Sequence, residues 1–239
     1  MAGQALTLDP TLSEGHAALG WILSRHEFEW AAAEEAFARA IALNPNNAEA
    51  HHWRALNSRA LGKTDEYLAS METARQLAPL TRPFARNYYD VVLEKEGCTS
   101  ALQYLDRFHG LYDALEPERA ELLGRHYVLC GDYARAIATI ERLPVETLPF
   151  KASAFLAVAY ARTGRRQAAL DVLKRLNDVY SAAYVHVGLG DFDAAIACLE
   201  GAIAARQDGA MKLKFDSFLA PLGSDARFTL LLKKMNLPG

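Results

Sequence analysis

Glycine and proline recur along this chain with a nearly constant period. Five glycines each follow an apolar run at helical spacing, at intervals of 35, 34, 33 and 26 residues: Gly62, Gly97, Gly131, Gly164 and Gly190. Three prolines follow helix ends at intervals of 35 and 34 residues: Pro10, Pro45 and Pro79. Glycine favours the left-handed conformation that ends a helix, and proline prevents a helix from continuing. The shared period predicts a repeated unit of two helices joined by a short turn.

Residue size alternates within each predicted helix pair. Tyr127 and Ile140 are large residues of one pair, and smaller residues lie between them at helical spacing. Two antiparallel helices approach closely only where small residues meet, while larger side chains fill the space above and below the crossing. The small residues expected at the crossings are Gly124, Ala136, Ala157, Ala169, Ala183 and Ala195. The pattern therefore predicts closely packed helix pairs.

The order of residues within a unit resembles the tetratricopeptide repeat, a helix–turn–helix of about 34 residues. The first full unit carries the matching residues Leu19-Gly20, Leu23, Ala33, Phe37, Ala40 and Pro45. This unit has about one extra residue in its turn, around residues 26–28, and Tyr67 of the second unit stands where a small residue is expected. The resemblance implies an all-α, right-handed α-solenoid of antiparallel helix pairs, with about six helical hairpins and a C-terminal capping helix.

The period divides the chain into three predicted parts. Residues 1–10 resemble the last turn of a preceding repeat, so we expect this chain to be the C-terminal part of a longer protein or to descend from one. Residues 11–206 form the array, with units at 11–45, 46–79, 80–115, 116–144, 148–177 and 178–206. Residues 207–239 form a C-terminal cap, and we expect Ser224 to be the N-cap of its helix. The cap contains, in order, Asp216, Pro221-Leu222, Ser224-Asp225, Arg227-Phe228 and Leu230-Leu231-Leu232. This order is similar to the tail of bacterial multidomain regulators that carry tetratricopeptide arrays.

The net charge bears on the partners of this chain, and the missing motifs bear on catalysis. The net charge of −3, with both signs interspersed, argues against nucleic acid or an anionic membrane as a direct partner. The sequence contains no glycine-rich phosphate loop, no nucleophile elbow and no histidine pair at the helical zinc spacing. We therefore expect a protein that is not an enzyme and needs no metal or cofactor. An enzyme with an unrecognised site is the less favoured alternative.

The cysteines and the first residues bear on location. Cys98, Cys130 and Cys198 are an odd number without a CxxC pair, which suits reduced thiols, and we expect Cys130 and Cys198 to be small core residues. The first residues have neither the basic nor the apolar region of a secretory signal. We therefore expect a cytoplasmic protein.

The resemblance also implies where a ligand would bind. In such arrays the first helix of each pair lines a concave groove. The repeat phase places these residues in the groove: Trp21, His52, Leu56, Arg59, Asn87, Arg125, Arg162, Tyr180 and Tyr184, with Val91, Val128 and Val158. We expect a peptide or helix of a protein partner to lie there, held by aromatic and arginine side chains. Packing between repeats is the alternative for each residue and is favoured for the valines. For Arg59 and Arg125 the alternative is an ion pair within the array or a solvated face.

Two further expectations concern partners. The apolar helix end at residues 1–10 could stack on a second copy, which makes the alternative function a self-associating structural module. Tetratricopeptide proteins that bind chaperone C-termini hold the terminal carboxylate with a clamp of lysine, asparagine and arginine. The matching groove positions here are Ala17, Trp21, His52 and Leu56, so we expect no binding to acidic chaperone tails.

Overall fold

The computed structural model describes residues 2–112, 116–144, 148–207 and 209–237, and these residues form helices and no strands. The α-helices are α1 (Ala2–Leu8), α2 (Ser13–Ile22), α3 (Trp30–Leu43), α4 (Ala48–Ala60), α5 (Thr64–Leu77), α6 (Arg82–Tyr112), α7 (Glu116–Leu129), α8 (Tyr133–Ile140), α9 (Phe150–Arg162), α10 (Arg166–Leu173), α11 (Val179–Leu189), α12 (Phe192–Ala204) and α13 (Ala226–Lys234). Two short 3-10 helices, Ala210–Lys212 and Ser217–Leu222, precede α13. The predicted ends at residues 1, 115 and 239 lie outside the described residues, and the predicted unit boundaries stay a prediction.

The turns between paired helices are those that the glycine period predicts. All five turn glycines have φ between 76° and 83°, in the left-handed region, and the one at Gly97 interrupts α6. Four helices begin at an Asn or Asp whose side chain accepts a hydrogen bond from the backbone three residues later: Asn47, Asp132, Asp178 and Asp191. Local turn and cap chemistry therefore sets where these helices end and begin.

The extra residue of the first full unit lies in a π-helical turn. Residues Leu23–Glu27 continue α2 as a π-helix, and Phe28 then adopts φ 57°. A π-helical turn accommodates one added residue without ending the helix. The Phe28 ring is buried and stacks on Trp30 at 6.0 Å between ring centroids.

The predicted small residues lie at close helix crossings. A Cβ atom on Gly124 of α7 would lie 2.5 Å from Cδ1 of Ile140 in α8, so only glycine fits there without displacing a neighbour. The five predicted crossing alanines have no solvent exposure. Tyr67, at the position where a small residue is expected, is also buried and hydrogen-bonds to Arg59.

The helices fall into two compact units, and each is described separately. The first unit contains α1–α5, α6 as far as Val91, Met211–Phe215 and the described residues from Leu232 onward. Its largest fully buried side chains are Phe37, Tyr67, Tyr89, Met71, Leu213 and Met235. The Nε1 atom of Trp30 donates a hydrogen bond of 2.6 Å to the Met235 carbonyl, which fixes the C-terminal residues to α3.

The second unit contains the described residues of α6 from Val92, α7–α12, and Asp216–Leu231. Its main apolar cluster is built from α7–α11 and includes Val128, Ile140, Phe155, Leu156, Val172 and Val185. The first turn of α13 is tied to α12, because Arg227 Nη1 donates to Asp193 Oδ1 at 2.7 Å. The same arginine pairs with Asp225, which lies just before α13.

Two predictions from the sequence are wrong. Cys98 and Cys130 form a disulfide, so these thiols are not reduced, and Cys198 is the free cysteine. The two cysteines are distant in sequence but lie at neighbouring turns, with 6.0 Å between their Cα atoms. The residue that caps α13 is Asp225 rather than Ser224, because Asp225 Oδ1 accepts a hydrogen bond from the Arg227 backbone.

Within the part of the chain that the structure describes, no helix is both long enough and apolar enough to cross a membrane.

Candidate functional site

The first predicted groove residue, Trp21, packs against a neighbouring hairpin. Its ring on α2 stacks on Trp53 of α4, with 5.1 Å between centroids. The guanidinium of Arg25 lies 4.2 Å from the centroid of the Trp21 ring, and its Nη1 reaches Met211 Sδ at 3.7 Å. Trp21 is half-buried, so one face packs within the array and an arginine covers the ring.

His52 and Leu56 of α4 are buried rather than open to a groove. The His52 ring is 5% exposed and lies 4.5 Å from the Phe84 ring, centroid to centroid. Asn87, also a predicted groove residue, places Nδ2 at 2.8 Å from His52 Nε2. Burial, and then the positive charge of Lys212, lowers the pKa of His52 to about 4. The histidine is therefore neutral at physiological pH.

The side chain of Arg59 on α4 contacts residues of α5 and α6 and the ring of Phe215. It is 9% exposed, and its Nη1 atom lies 3.1 Å from both Tyr67 Oη and Asp90 Oδ2. The guanidinium carbon stands 4.3 Å from the centroid of the Phe215 ring. The ion pair expected as an alternative for Arg59 is present, and the same side chain also makes a cation–π contact with an irregular segment.

Tyr180 and Tyr184 of α11 share one carboxylate. Their hydroxyls donate to Asp216 Oδ2 at 3.1 Å and 2.5 Å respectively. Burial, followed by the negative charge of Asp216, raises the pKa of both hydroxyls well above 10. Both tyrosines therefore stay protonated and act as hydrogen-bond donors to the acid.

Phe218 packs beside this acid in an aromatic stack. Its ring lies 4.7 Å from the Tyr184 ring and 5.3 Å from the Phe155 ring of α9, centroid to centroid. Asp216 Oδ1 accepts a hydrogen bond from the Phe218 backbone, which fixes the two residues relative to each other. Leu219 and Leu222 follow and are buried.

The remaining predicted residues divide between packing and exposure. Arg125 of α7 is half-buried. Its positive charge lowers the pKa of Tyr184, but burial and the negative charge of Asp216 raise that pKa by more. Arg162, at the end of α9, is exposed. The three valines are buried, as expected for residues that pack: Val91, Val128 and Val158.

Residues 210–222, which we call the tail segment, contact three of the predicted groove residues: Arg59 in the first unit, and Tyr180 and Tyr184 in the second. In the first unit, Arg25, Arg59 and His52 lie near Met211, Phe215 and Lys212 respectively. In the second unit, the two tyrosines and Phe155 contact Asp216 and Phe218. Within each unit, predicted groove residues thus contact a part of the tail segment.

Sequence reasoning missed several participants in these contacts. They are Asp90, Phe155, Phe215, Asp216 and Phe218. The sequence contained a signal for Phe215, Asp216 and Phe218. An acid between two phenylalanines is chemically complementary to the arginine and tyrosines predicted for the groove. Nothing local marks Asp90 or Phe155, because each is one of many similar residues on an amphipathic helix.

Two segments of the chain match known family models. Residues 120–149 and residues 179–208 each match a tetratricopeptide repeat model. These segments contain the α7–α8 and α11–α12 turns. No curated protein matches the sequence.

Solved structures share the fold at low sequence identity. The crystal structure of the APC/C hetero-tetramer Cut9-Hcn1 matches with a TM-score of 0.63 and 19% identity, over 98% of this chain and 45% of that chain. The type IV pilus biogenesis factor PilW matches with a TM-score of 0.57 and 17% identity, over 88% of this chain and 97% of that one. Pseudomonas aeruginosa pilF matches with a TM-score of 0.52 and 17% identity, over 86% and 96%. The all-α solenoid class predicted from the sequence is confirmed, and this chain spans less than half the length of the Cut9-Hcn1 chain it matches.

Proposed function

We propose that this chain, which carries tetratricopeptide repeats, is a non-catalytic scaffold that binds a protein partner through an extended segment. The observation that carries the proposal is the tail segment, held by the side chains that the repeat phase assigns to ligand binding. Tetratricopeptide repeats support a protein–protein interaction role in general. The tail segment adds the chemistry that these side chains accept.

The second unit defines that chemistry most sharply. Asp216 accepts hydrogen bonds from Tyr180 and Tyr184, and Phe218 stacks between Tyr184 and Phe155. Hydrogen bonds to a charged acceptor contribute about 1.5–3 kcal/mol, and an aromatic pair contributes about 0.5–1.5 kcal/mol beyond its buried area. A partner segment with an acid followed two positions later by an aromatic residue would satisfy the same groups.

The tail segment and such a partner compete for one set of donors. Tyr180 is buried and its hydroxyl is already engaged, so a partner gains this contact only when Asp216 leaves it. We infer that the tail segment lowers the apparent affinity for the partner in the resting chain, because the binding-competent state is only partly populated. Weakening the contacts of Asp216 and Phe218 should therefore raise the affinity.

A peptide titration tests this proposal. A labelled peptide of residues 214–222 is titrated by fluorescence anisotropy into the intact chain and into a D216A/F218A double variant, which keeps the buried anchors Leu219 and Leu222. We expect the double variant to bind at least about ten-fold more tightly. Adding Tyr184→Phe should remove most of the gain, whereas Phe192→Ala, a change at a partly exposed ring on α12, should not.

Two results would contradict the proposal. One is equal affinity of the intact chain and the double variant for the peptide. The other is equal binding of a control peptide in which the residue corresponding to Asp216 is alanine. Far-UV circular dichroism of each variant shows whether the helices are retained.

The proposal extends to a regulatory role and to the compartment in which the protein acts. The similarity of the last residues to the tail of bacterial regulators supports a regulatory role. The cytoplasm expected from the sequence is a reducing compartment, whereas the Cys98–Cys130 disulfide supports an oxidising compartment, where such bonds persist.

Self-association is the second candidate function. Leu8 at the end of α1 is 89% exposed, which leaves an apolar side chain at the end of the first unit. Stacking of a second copy on α1 would cover it. If this end mediates a dimer, light scattering should show a concentration-dependent mass that Leu8→Glu lowers to the monomer value. A monomer at all concentrations would remove this candidate.

A further inference from the structure

The Cys98–Cys130 disulfide joins the turns of two successive helix pairs in the second unit. Cys98 follows Gly97, where α6 is interrupted, and Cys130 follows the last residue of α7. The bond is therefore a covalent tie between the second half of α6 and the end of α7. Nothing else in the sequence or the fold assigns this tie a role.

The two sulfur atoms have different surroundings. Cys98 is exposed, so an external thiolate can approach its Sγ atom. Cys130 is half-buried, and its Sγ atom lies 3.8 Å from Nε2 and 3.9 Å from Nδ1 of His126, one helical turn earlier on α7. His126 itself is only 3% exposed. The bond thus has one open end and one end beside a buried imidazole.

This asymmetry suits a directed exchange reaction. In thiol–disulfide exchange, a thiolate attacks one sulfur and the other leaves as a thiolate, and the reaction is faster when the leaving thiolate is stabilised. The imidazole of His126 can donate an N–H to the Cys130 sulfur as negative charge develops there. Attack at Cys98 with departure of Cys130 therefore uses both features of the site.

We propose that the Cys98–Cys130 bond is a reversible thiol–disulfide exchange site that reacts with a protein dithiol through Cys98. The donor thiolate forms a mixed disulfide with Cys98 Sγ, the Cys98–Cys130 bond breaks, and its electron pair leaves on Cys130 Sγ. The second donor thiolate then attacks the donor sulfur of the mixed disulfide and releases Cys98 as a thiolate. The donor ends as a disulfide, and each cysteine takes up one proton to become a thiol.

Reduction would change the restraint on α7 rather than remove its packing. The helix stays held by the close contact of Gly124 with Ile140 of α8, but loses its covalent tie to α6. Arg125, whose charge reaches the Tyr184 hydroxyl, is on this helix. A disulfide that opens in a reducing compartment and closes in an oxidising one would also act in either of the locations considered above.

The first test measures reduction in the folded protein. The intact oxidised chain is incubated at neutral pH with a thioredoxin-class dithiol protein, quenched with acid, labelled with a maleimide in denaturant and weighed by mass spectrometry. We expect one label before the reaction, on Cys198, and three after it, without any denaturant in the reaction step. A bond that is reduced only after unfolding would overturn the proposal, as would three labels before the reaction.

The second test locates the attack. A dithiol protein that lacks its resolving cysteine stops at the mixed disulfide, and peptide mapping then identifies the linked residue. We expect linkage to Cys98. Linkage mainly to Cys130 would contradict the assigned direction.

The third test addresses His126. We expect His126→Asn to slow the second-order reduction rate by about ten-fold, since the leaving thiolate loses its donor. His186→Asn is the matched control, because it changes a histidine of α11 in the same unit. Circular dichroism of the oxidised and reduced forms separates a local effect from a loss of folding. An unchanged rate for His126→Asn would remove the assigned role of the imidazole, and a rate that fell equally in both variants would do the same.

Discussion

Protonation of His52 is expected to destabilise the first unit at acid pH. The pKa of His52 falls from 6.5 to about 4 in the folded protein, because the ring is buried beside Phe84 and near Lys212. A group whose pKa is lower in the folded than in the unfolded protein contributes stability at pH values above its unfolded pKa. This contribution is lost as the pH falls through the window between the two pKa values. Here that window runs from 6.5 down to about 4.

The size of the effect follows from the two pKa values. Each pKa unit corresponds to about 1.4 kcal/mol, so the difference between 6.5 and about 4 gives about 3 kcal/mol of stability lost by pH 4. Carboxylates that titrate in the same range add their own slope. The contribution of His52 is therefore the difference between the intact chain and His52→Gln, which keeps an acceptor for Asn87 but cannot titrate.

The assay is urea denaturation at a series of pH values, followed by tryptophan fluorescence. Trp21, Trp30 and Trp53 all belong to the first unit, so the signal reports the unfolding of the unit that contains His52. We expect the intact chain to lose about 3 kcal/mol more than His52→Gln between neutral pH and pH 4. His51→Gln is the control for changing a neighbouring histidine. The reasoning would be refuted if the intact chain and His52→Gln lost stability in parallel.

Two substitutions test the helix crossings, and a rise in pH tests the tyrosines that share the carboxylate. Gly124→Ala should destabilise the second unit by about 1–3 kcal/mol, because its Cβ would lie 2.5 Å from Ile140 Cδ1. Gly201→Ala, whose Cβ would meet its nearest neighbour at 3.6 Å, should stabilise the same unit by about 0.5–1 kcal/mol. Denaturation followed by circular dichroism checks both, and effects of the same sign would contradict the crossing geometry. Tyr180 and Tyr184 should ionise only as the unit unfolds above pH 10, since the stability from their raised pKa is present below that value and lost above it. The chain has ten tyrosines, so the signal of these two is the difference in tyrosinate absorbance between the intact chain and a Tyr180→Phe/Tyr184→Phe variant. A difference that rises before the helix signal is lost would argue against this burial.

The local features of the fold were predictable because they follow local rules. A left-handed turn favours glycine whatever the rest of the chain does, and Gly62 and Gly190 follow that preference with φ of 77° and 76°. A close crossing needs a small residue at a fixed position, as Gly124 shows. Both rules act over one helix pair, so a period in the sequence is enough to apply them.

The tail segment was not predictable from the same rules. It has no period, and its contacts join residues far apart in sequence, such as Tyr184 with Asp216 and Arg59 with Phe215. The repeat phase predicts Tyr180, Tyr184 and Arg59 for the groove, but it contains no information on which segment of the chain they contact. That choice depends on where an irregular stretch can satisfy buried donors and rings at once, and this is a property of the folded chain.

The disulfide lies between these two cases, because the period contained a signal for it. Cys98 directly follows the turn glycine Gly97, and Cys130 directly precedes the turn glycine Gly131. A helical repeat places successive turns next to each other, so cysteines beside successive turns can approach to the 6.0 Å between Cα atoms that a disulfide requires. Cys198 lies inside α12, away from any turn, and is the cysteine without a bond. In a repeat protein, cysteine spacing should therefore be compared with the repeat period before short motifs are sought, because neighbours in space are one period apart in sequence.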